Sequence, residues 1–343
     1  MNFEPRNILI MDFGQLGDVV LSLPALRAVR ERFPNSRITV AVGQSAGEIA
    51  RLSGYVNDVL TIDRVGLRDG AKLVSIFKIF QIVKSVRRSQ FDFVIDLHSF
   101  YETNLLGFVS GAPKRLYARR PTRSLDYLAN FEPRPPIEEV RSPKHQVDRY
   151  LDVLIPLGIK DAVRVPHLKT RPDVDVTVEA ILRKAKADTG APLVGIFPGA
   201  GHPSRRWPLE RFAELADYLV RNDGVRVLVF AGPEEAGITQ QMRRLFPASS
   251  LILSGLRISE LASALARLAV FVSNDTGPMH VAAAVGTSVV VLLNRTTPNT
   301  FVPIGEAHRH IYSRMIQEIA TEEVYGATCE LLASSRVAQL SSR

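Results

Sequence analysis

Short apolar runs alternate with longer amphipathic ones along most of the chain. This is the pattern of strands buried on both faces and helices buried on one. In the first half it predicts strands at 7–11, 37–42, 59–62 and 91–97. Helices are predicted at 21–33, 46–52, 71–88 and 144–157, the last stopped at Gly158. Residues 160–178 carry Pro166 and Pro172 and little periodicity, and read as a linker or an irregular strand. The pattern then restarts, with strands at 193–197, 225–230, 270–273 and 288–293 and helices at 209–221, 234–245, 259–268 and 281–285. Repeated βα units predict an α/β protein with parallel sheets. The expected divisions are 1–165, 166–320 and a C-terminal helix over 321–343, which is expected to pack back on the N-terminal half.

Composition narrows this picture. The 343 residues suit two domains, and a single cysteine, Cys329, excludes an internal disulfide framework and a cysteine metal cluster. No stretch approaches the ~20 apolar residues of a membrane span, and no signal-peptide core stands at the start. The chain reads as soluble and cytoplasmic. Its net charge of +8 is uneven, with 23 basic against 17 acidic residues up to position 160. Lys114, Arg115, Arg119, Arg120 and Arg123 form the densest basic run, with no acid between them. Such a run is either a solvated loop or a face for an anionic partner. Aromatic residues do not interleave there as in a single-strand binder, so nucleic acid is disfavoured.

Four segments carry candidate chemistry, each at the end of a predicted strand. In Gly14-Gln15-Leu16-Gly17-Asp18 the glycines permit a tight turn and close approach, and Asp18 is either a helix cap or a general base. The spacing is not that of a dinucleotide fingerprint. The second segment, 197–208, contains Gly199, Gly201, Arg205, Arg206 and Trp207. Its arginines suit a diphosphate, and Trp207 is expected in the core behind the loop. In the third, Gly232-Pro233-Glu234-Glu235, a carboxylate either caps a helix or accepts ribose hydroxyls. The fourth, Ser273-Asn274-Asp275-Thr276-Gly277-Pro278-Met279-His280, joins a strand to a helix whose first N–H groups make a phosphate site. Asp275 and Thr276 occupy capping positions, and His280 falls about one turn into the helix, where it either packs or faces the same anion.

Together these segments resemble the ADP-heptose:lipopolysaccharide heptosyltransferase family, glycosyltransferase family 9. Residues 7–24 are similar to its N-terminal strand and G-D-x-x-x-x-x-P segment, Ser204 to Pro208 to its K-R-W-P signature, Ala231 to Glu235 to its G-G-P-x-E turn, and Ser273 to His280 to its S-N-D-T-G-P-x-H run. Ile95-Asp96-Leu97 and 145–150 also look like family segments. The resemblance implies a GT-B fold, with two Rossmann-like domains facing a central cleft: an acceptor domain over 1–165 and a nucleotide-sugar donor domain over 166–320. It implies inverting transfer of heptose from ADP-heptose to a lipopolysaccharide inner core, with no metal and no cofactor beyond the nucleotide sugar. Asp18 would be the base. Arg205 would meet the diphosphate, Glu234 or Glu235 the ribose, Thr276 and Gly277 the phosphates through their N–H groups, and Asp275 and His280 the donor sugar or phosphate. Gly14, Gly17, Lys114, Arg115, Arg119 and Arg120 would face an anionic glycolipid acceptor, with peripheral contact at the inner membrane.

Two departures from the family pattern stand out: Arg205 replaces its lysine, and His98-Ser99-Phe100 replaces a polar Q-G. The alternatives are a relative using another nucleotide sugar or a protein acceptor, an epimerase of the same fold, and a noncatalytic nucleotide-sugar-binding protein.

Overall fold

The computed structural model describes residues 3–69, 72–139, 143–185, 190–294 and 299–341. The chain divides into two compact units, Met1–Pro166 and His167–Arg343. In the first unit the order is β1 (Asn7–Asp12), α1 (Leu16–Arg32), β2 (Arg37–Gly43), α2 (Gly47–Leu52), β3 (Asp58–Ile62), α3 (Arg64–Asp69), α4 (Lys72–Arg88), β4 (Phe93–Asp96), α5 (Tyr101–Val109), β5 (Lys114–Tyr117) and α6 (Gln146–Asp152). Its strands form a parallel sheet in the order β3-β2-β1-β4-β5. Leu9, Met11 and Val94 pack with Leu106 and Tyr117 in the core on one face.

The second unit runs α7 (Pro172–Lys184), β6 (Leu193–Phe197), α8 (Leu209–Asp223), β7 (Arg226–Ala231), α9 (Thr239–Leu245), β8 (Leu251–Ser254), α10 (Ile258–Leu265), β9 (Val270–Asn274), α11 (Gly277–Ala284), β10 (Ser288–Asn294), β11 (His308–Ser313) and α12 (Thr321–Ser341). Its parallel sheet has the order β11-β10-β9-β6-β7-β8. Each sheet reverses its strand order once, between β1 and β4 and between β6 and β9. The loops leaving those neighbouring strands diverge, and the gap between them is where α/β sheets bind ligands.

Several expectations are corrected. α1 begins at Leu16 and not at 21: Gln15 is its N-cap, so Gly17 and Asp18 lie in its first turn. Starting at 21 would have kept Pro24 near the helix start, but Pro24 lies buried inside α1. α7 starts at Pro172, the first-turn position proline favours, with Asp173 and Asp175 against the helix dipole, so the linker reading holds only up to Arg171. α11 begins at Gly277, four residues before the expected start. Predicted residue 71 of α4 lies outside the described residues. α12 packs on α8, β9, β10 and β11, and its Val324, Leu331 and Leu332 belong to the core of the second unit.

Candidate active site

At the carboxyl ends of β1 and β4, three carboxylates and a histidine converge. Asp12 ends β1 and is fully buried; its Oδ1 accepts the Gly14 N–H at 2.9 Å and meets His98 Nδ1 at 2.8 Å. Asp96 ends β4, also fully buried, and accepts N–H groups from His98 at 3.1 Å and Ser99 at 2.7 Å and the Asn104 amide at 2.8 Å. These bonds hold Ser99 at φ +52°, in the left-handed backbone region. Asp18 is the third residue of α1 and half-buried; its Oδ2 accepts the Gln15 N–H at 2.8 Å. Capping is therefore part of its role, as the sequence allowed. Gly14 makes that position possible: a Cβ there would stand 2.3 Å from Asp18 Cβ.

The charges are graded. Burial pushes Asp18 above the usual carboxylate range and the Asp12 charge adds to this, opposed by the Gln15 N–H and His98. Burial alone would raise Asp12 as well, but its bond to His98, the His98 charge and the Gly14 N–H outweigh it and hold Asp12 low. Burial alone would lower His98, yet Asp12, Asp18 and Asp96 together raise it. Asp96, mainly through burial, is pushed up to about 6. Asp12 and His98 thus form an ion pair, and Asp18, raised where Asp12 is lowered, is the half-buried carboxylate of the cluster.

At the carboxyl ends of β6 and β9 the second and fourth motifs meet. Asn274, buried at the end of β9, donates to the carbonyls of Pro198 at 2.8 Å and Gly199 at 3.2 Å and accepts the Trp207 N–H at 3.1 Å. It pins the β6 loop over the start of α11. Arg205, on that loop, reaches Asp275 Oδ2 at 2.9 Å; the arginine is 46% exposed and the aspartate 13%. Burial raises Asp275, and Arg205 opposes this. Thr276 is the N-cap of α11 without a side-chain cap bond, Gly277 opens the helix, and His280 is buried one turn in. Trp207 lies in the core, edge-on to Phe212 with ring centroids 4.8 Å apart, its Nε1 donating to the Ile319 carbonyl at 3.0 Å.

The acidic pair after β7 divides. Glu235 is buried; its Oε2 accepts the Gly232 N–H at 3.0 Å, and a Cβ on Gly199 would stand 2.2 Å from its Oε1. Glu234 is exposed. The basic run divides too. Lys114 and Arg115 open β5, in register with Phe93 and Val94, at the amino end of the sheet and away from Asp12 and Asp96. Arg115 is spent on the carbonyls of Ala112 and Leu128, and Arg119 lies 3.9 Å from Asp126. Arg120 reaches toward the β1–β4 end, donating to the His98 carbonyl at 3.1 Å and lying 3.5 Å from Glu138. Arg119 and Arg120 thus have acidic neighbours, while Lys114 and Arg123 are exposed. Gly17, half-buried in the first turn of α1, stays beside Asp18.

Sequence reasoning missed Asp12, His98 as an ion-pair partner, and Asn274. A charged residue closing the apolar run 8–11 was the available signal for Asp12; its partner lies 86 positions away. Among the described residues, no cluster of three or more His, Cys, Asp or Glu is placed to hold a metal ion.

Residues 79–326 match the family model described as glycosyltransferase family 9 (heptosyltransferase). Lipopolysaccharide heptosyltransferase 2 of Escherichia coli (strain K12) is 26% identical over 314 residues, covering 89% of this chain and 87% of that protein. Lipooligosaccharide heptosyltransferase 2 of Haemophilus ducreyi is 25% identical, over 87% of this chain and 86% of its own. Among solved structures, a family 9 glycosyl transferase from Veillonella parvula superposes with a TM-score of 0.83 at 23% identity, covering 97% of this chain and 99% of that one. E. coli heptosyltransferase WaaC, solved with ADP-2-deoxy-2-fluoro heptose, gives 0.74 at 20% identity over 94% and 99%. Both units have the parallel α/β architecture of these GT-B enzymes. The chain is a glycosyltransferase and belongs to glycosyltransferase family 9, the heptosyltransferase family.

Proposed function

We propose that this protein transfers heptose from ADP-heptose to a lipopolysaccharide inner-core acceptor, with Asp18 as general base. The acceptor hydroxyl attacks the anomeric carbon, its proton passes to Asp18, and the bond to the diphosphate breaks with its electron pair leaving on ADP. Attack from the face opposite the leaving group inverts the anomeric centre. The observation that carries this reading is Asp18 itself: a half-buried carboxylate whose proton affinity burial and Asp12 raise, beside the fully buried Asp12 and Asp96, with Gly14 cleared to let it stand there. A base needs that combination of access and raised proton affinity.

The second unit takes the donor in this reading. The N–H groups of Thr276 and Gly277 at the start of α11 and the Arg205 guanidinium hold the diphosphate, where negative charge grows as the bond breaks. Asp275 orients Arg205 through their ion pair, and His280 supports the same turn. Glu235 accepts a ribose hydroxyl on Oε1 while Oε2 stays on Gly232; exposed Glu234 is left outside that role. Gly14, Gly17 and Arg120 border the acceptor, whereas Lys114, Arg115 and Arg119 have no part in binding it. That WaaC was solved with an ADP-heptose analogue supports the donor by relationship.

Thermal shift against ADP-, GDP-, UDP- and CDP-sugars tests the donor, and release of ADP on adding a heptose-free inner-core acceptor tests the transfer. Selective stabilisation by ADP-heptose and acceptor-dependent ADP release are expected. A shift with another nucleotide sugar alone would replace the donor; binding without turnover would make this a noncatalytic nucleotide-sugar-binding protein.

A further inference from the structure

α4 is built to be apolar and cationic at once. Its residues 72–88 include Lys72, Lys78, Lys84, Arg87 and Arg88 and no acid. A helix packed on a sheet normally hides its apolar stripe, as α8 does with Phe212, Leu215 and Leu219. α4 instead leaves Val74, Ile76, Phe77, Ile79 and Phe80 between 49% and 63% exposed. Ile76, Phe80, Lys84 and Arg87 follow one another at spacings of four, four and three. One solvent-facing stripe is therefore apolar for its first turns and basic for its last. Neighbouring α5 adds Tyr101, Leu105 and Phe108, each close to half exposed.

Between these helices runs a groove of about 1230 Å³ lined largely by apolar side chains, among them Ile79, Val83, Leu105 and Val109. Its lining also includes Gly14 and Gln15, so the apolar face is continuous with the loop that carries Asp18. A contiguous exposed apolar patch of this kind marks an interaction surface. The charges name the partner. Lys78 is engaged by Asp63 at 3.5 Å, but Lys72, Lys84, Arg87 and Arg88 border the apolar stripe with no acid on the helix to answer them. Apolar aromatic residues beside surplus cations are what an anionic bilayer surface takes up: rings at the acyl boundary, ammonium and guanidinium groups at the phosphates.

We infer that the exposed face of α4 and α5 docks this protein on an anionic membrane surface, with Phe77 and Phe80 entering the interface and Lys84, Arg87 and Arg88 meeting the headgroups. No helix among the described residues is long and apolar enough to cross a membrane, so this is contact from one side. The inference is independent of the sugar-transfer reading, because lipid binding is measured without substrate.

The test is flotation of the full chain with vesicles of phosphatidylcholine alone and of equal parts phosphatidylcholine and phosphatidylglycerol. The wild type should float with the anionic vesicles, and less as salt rises. F77S/F80S should lower its partitioning about tenfold or more. R87E/R88E, which alters only exposed charges, should lower binding to anionic vesicles to the level seen with phosphatidylcholine. Melting curves of both variants are compared with the wild type, and the charge variant alone decides the matter if the apolar one fails to fold. No flotation of the wild type overturns the inference, as does unchanged flotation of R87E/R88E. So does a wild-type dimer that F77S/F80S turns into a monomer with lipid binding unchanged, since the patch would then bind a second copy.

Discussion

Asp12 Oδ1 lies 2.8 Å from His98 Nδ1, across the adjoining ends of β1 and β4. Asp12 is fully buried and the His98 side chain is 12% exposed, so little water screens the pair. His98 stands where this chain departs from its family, and it supplies a positive charge next to the carboxylate proposed as the base.

That charge lowers the proton affinity of Asp18, so removing it should raise it. His98→Gln, which takes that charge away, should move the acid limb of the kcat/KM profile to higher pH over the range where Asp12 is ionised. At pH well above that limb the rate should recover toward wild type. A limb that stays in place or moves to lower pH would show that His98 does not tune Asp18.

The same pair links stability to pH. His98 is raised in the fold, so its contribution is full below its ordinary 6.5 and is lost as pH rises through the higher folded value. Asp12 is lowered, so its contribution is present above its ordinary 3.8 and is lost as pH falls through the lower folded value. The difference in melting temperature between wild type and His98→Gln should therefore be widest between those two values and shrink toward alkaline pH. A gap that widens as pH rises above 6.5 would contradict the ion pair.

Gly14→Ala places a methyl 2.3 Å from Asp18 Cβ and 2.9 Å from its Oδ2, so the base must move. A displacement near 1 Å costs on the order of 100-fold in rate. The expected result is that loss in kcat/KM with the ADP thermal shift unchanged. Wild-type activity in the alanine variant would mean that Asp18 tolerates displacement and does not serve as a placed base.

Arg205 bonds Asp275 while remaining nearly half exposed, a position from which it can also meet a diphosphate. Arg205→Ala should weaken ADP binding by about 10- to 100-fold, the worth of one charge-assisted hydrogen bond. Arg205→Lys should recover part of it, because charge returns without the planar fork. Equal ADP affinity in all three proteins, by calorimetry, would remove Arg205 from the donor site.

The central strands were legible because an apolar run buried on both faces needs no partner information to be recognised. β5, β8 and β11 were missed because they are edge strands, β5 and β8 only four residues long and β11 largely polar; β5 begins with Lys114 and Arg115 and so read as a basic loop. Asp18, Arg205 and Asp275 were visible as motif residues, since local turns display them. Asp12–His98 and Asn274–Trp207 were not, because each joins residues 67 or more positions apart that only the sheet order brings together. α4 shows the opposite case: its helical period was read correctly, but periodicity does not reveal that so much of its apolar surface stays uncovered.

The central claim is that Asp18 takes the acceptor proton, and Asp18→Asn tests it most directly. Asparagine keeps the size and can still accept the Gln15 N–H, but it takes up no proton. Initial rates of acceptor-dependent ADP release should fall by about 10²- to 10⁴-fold in kcat, while the thermal shift with ADP-heptose matches wild type. A variant that binds the donor and turns over within a few-fold of wild type would contradict the account.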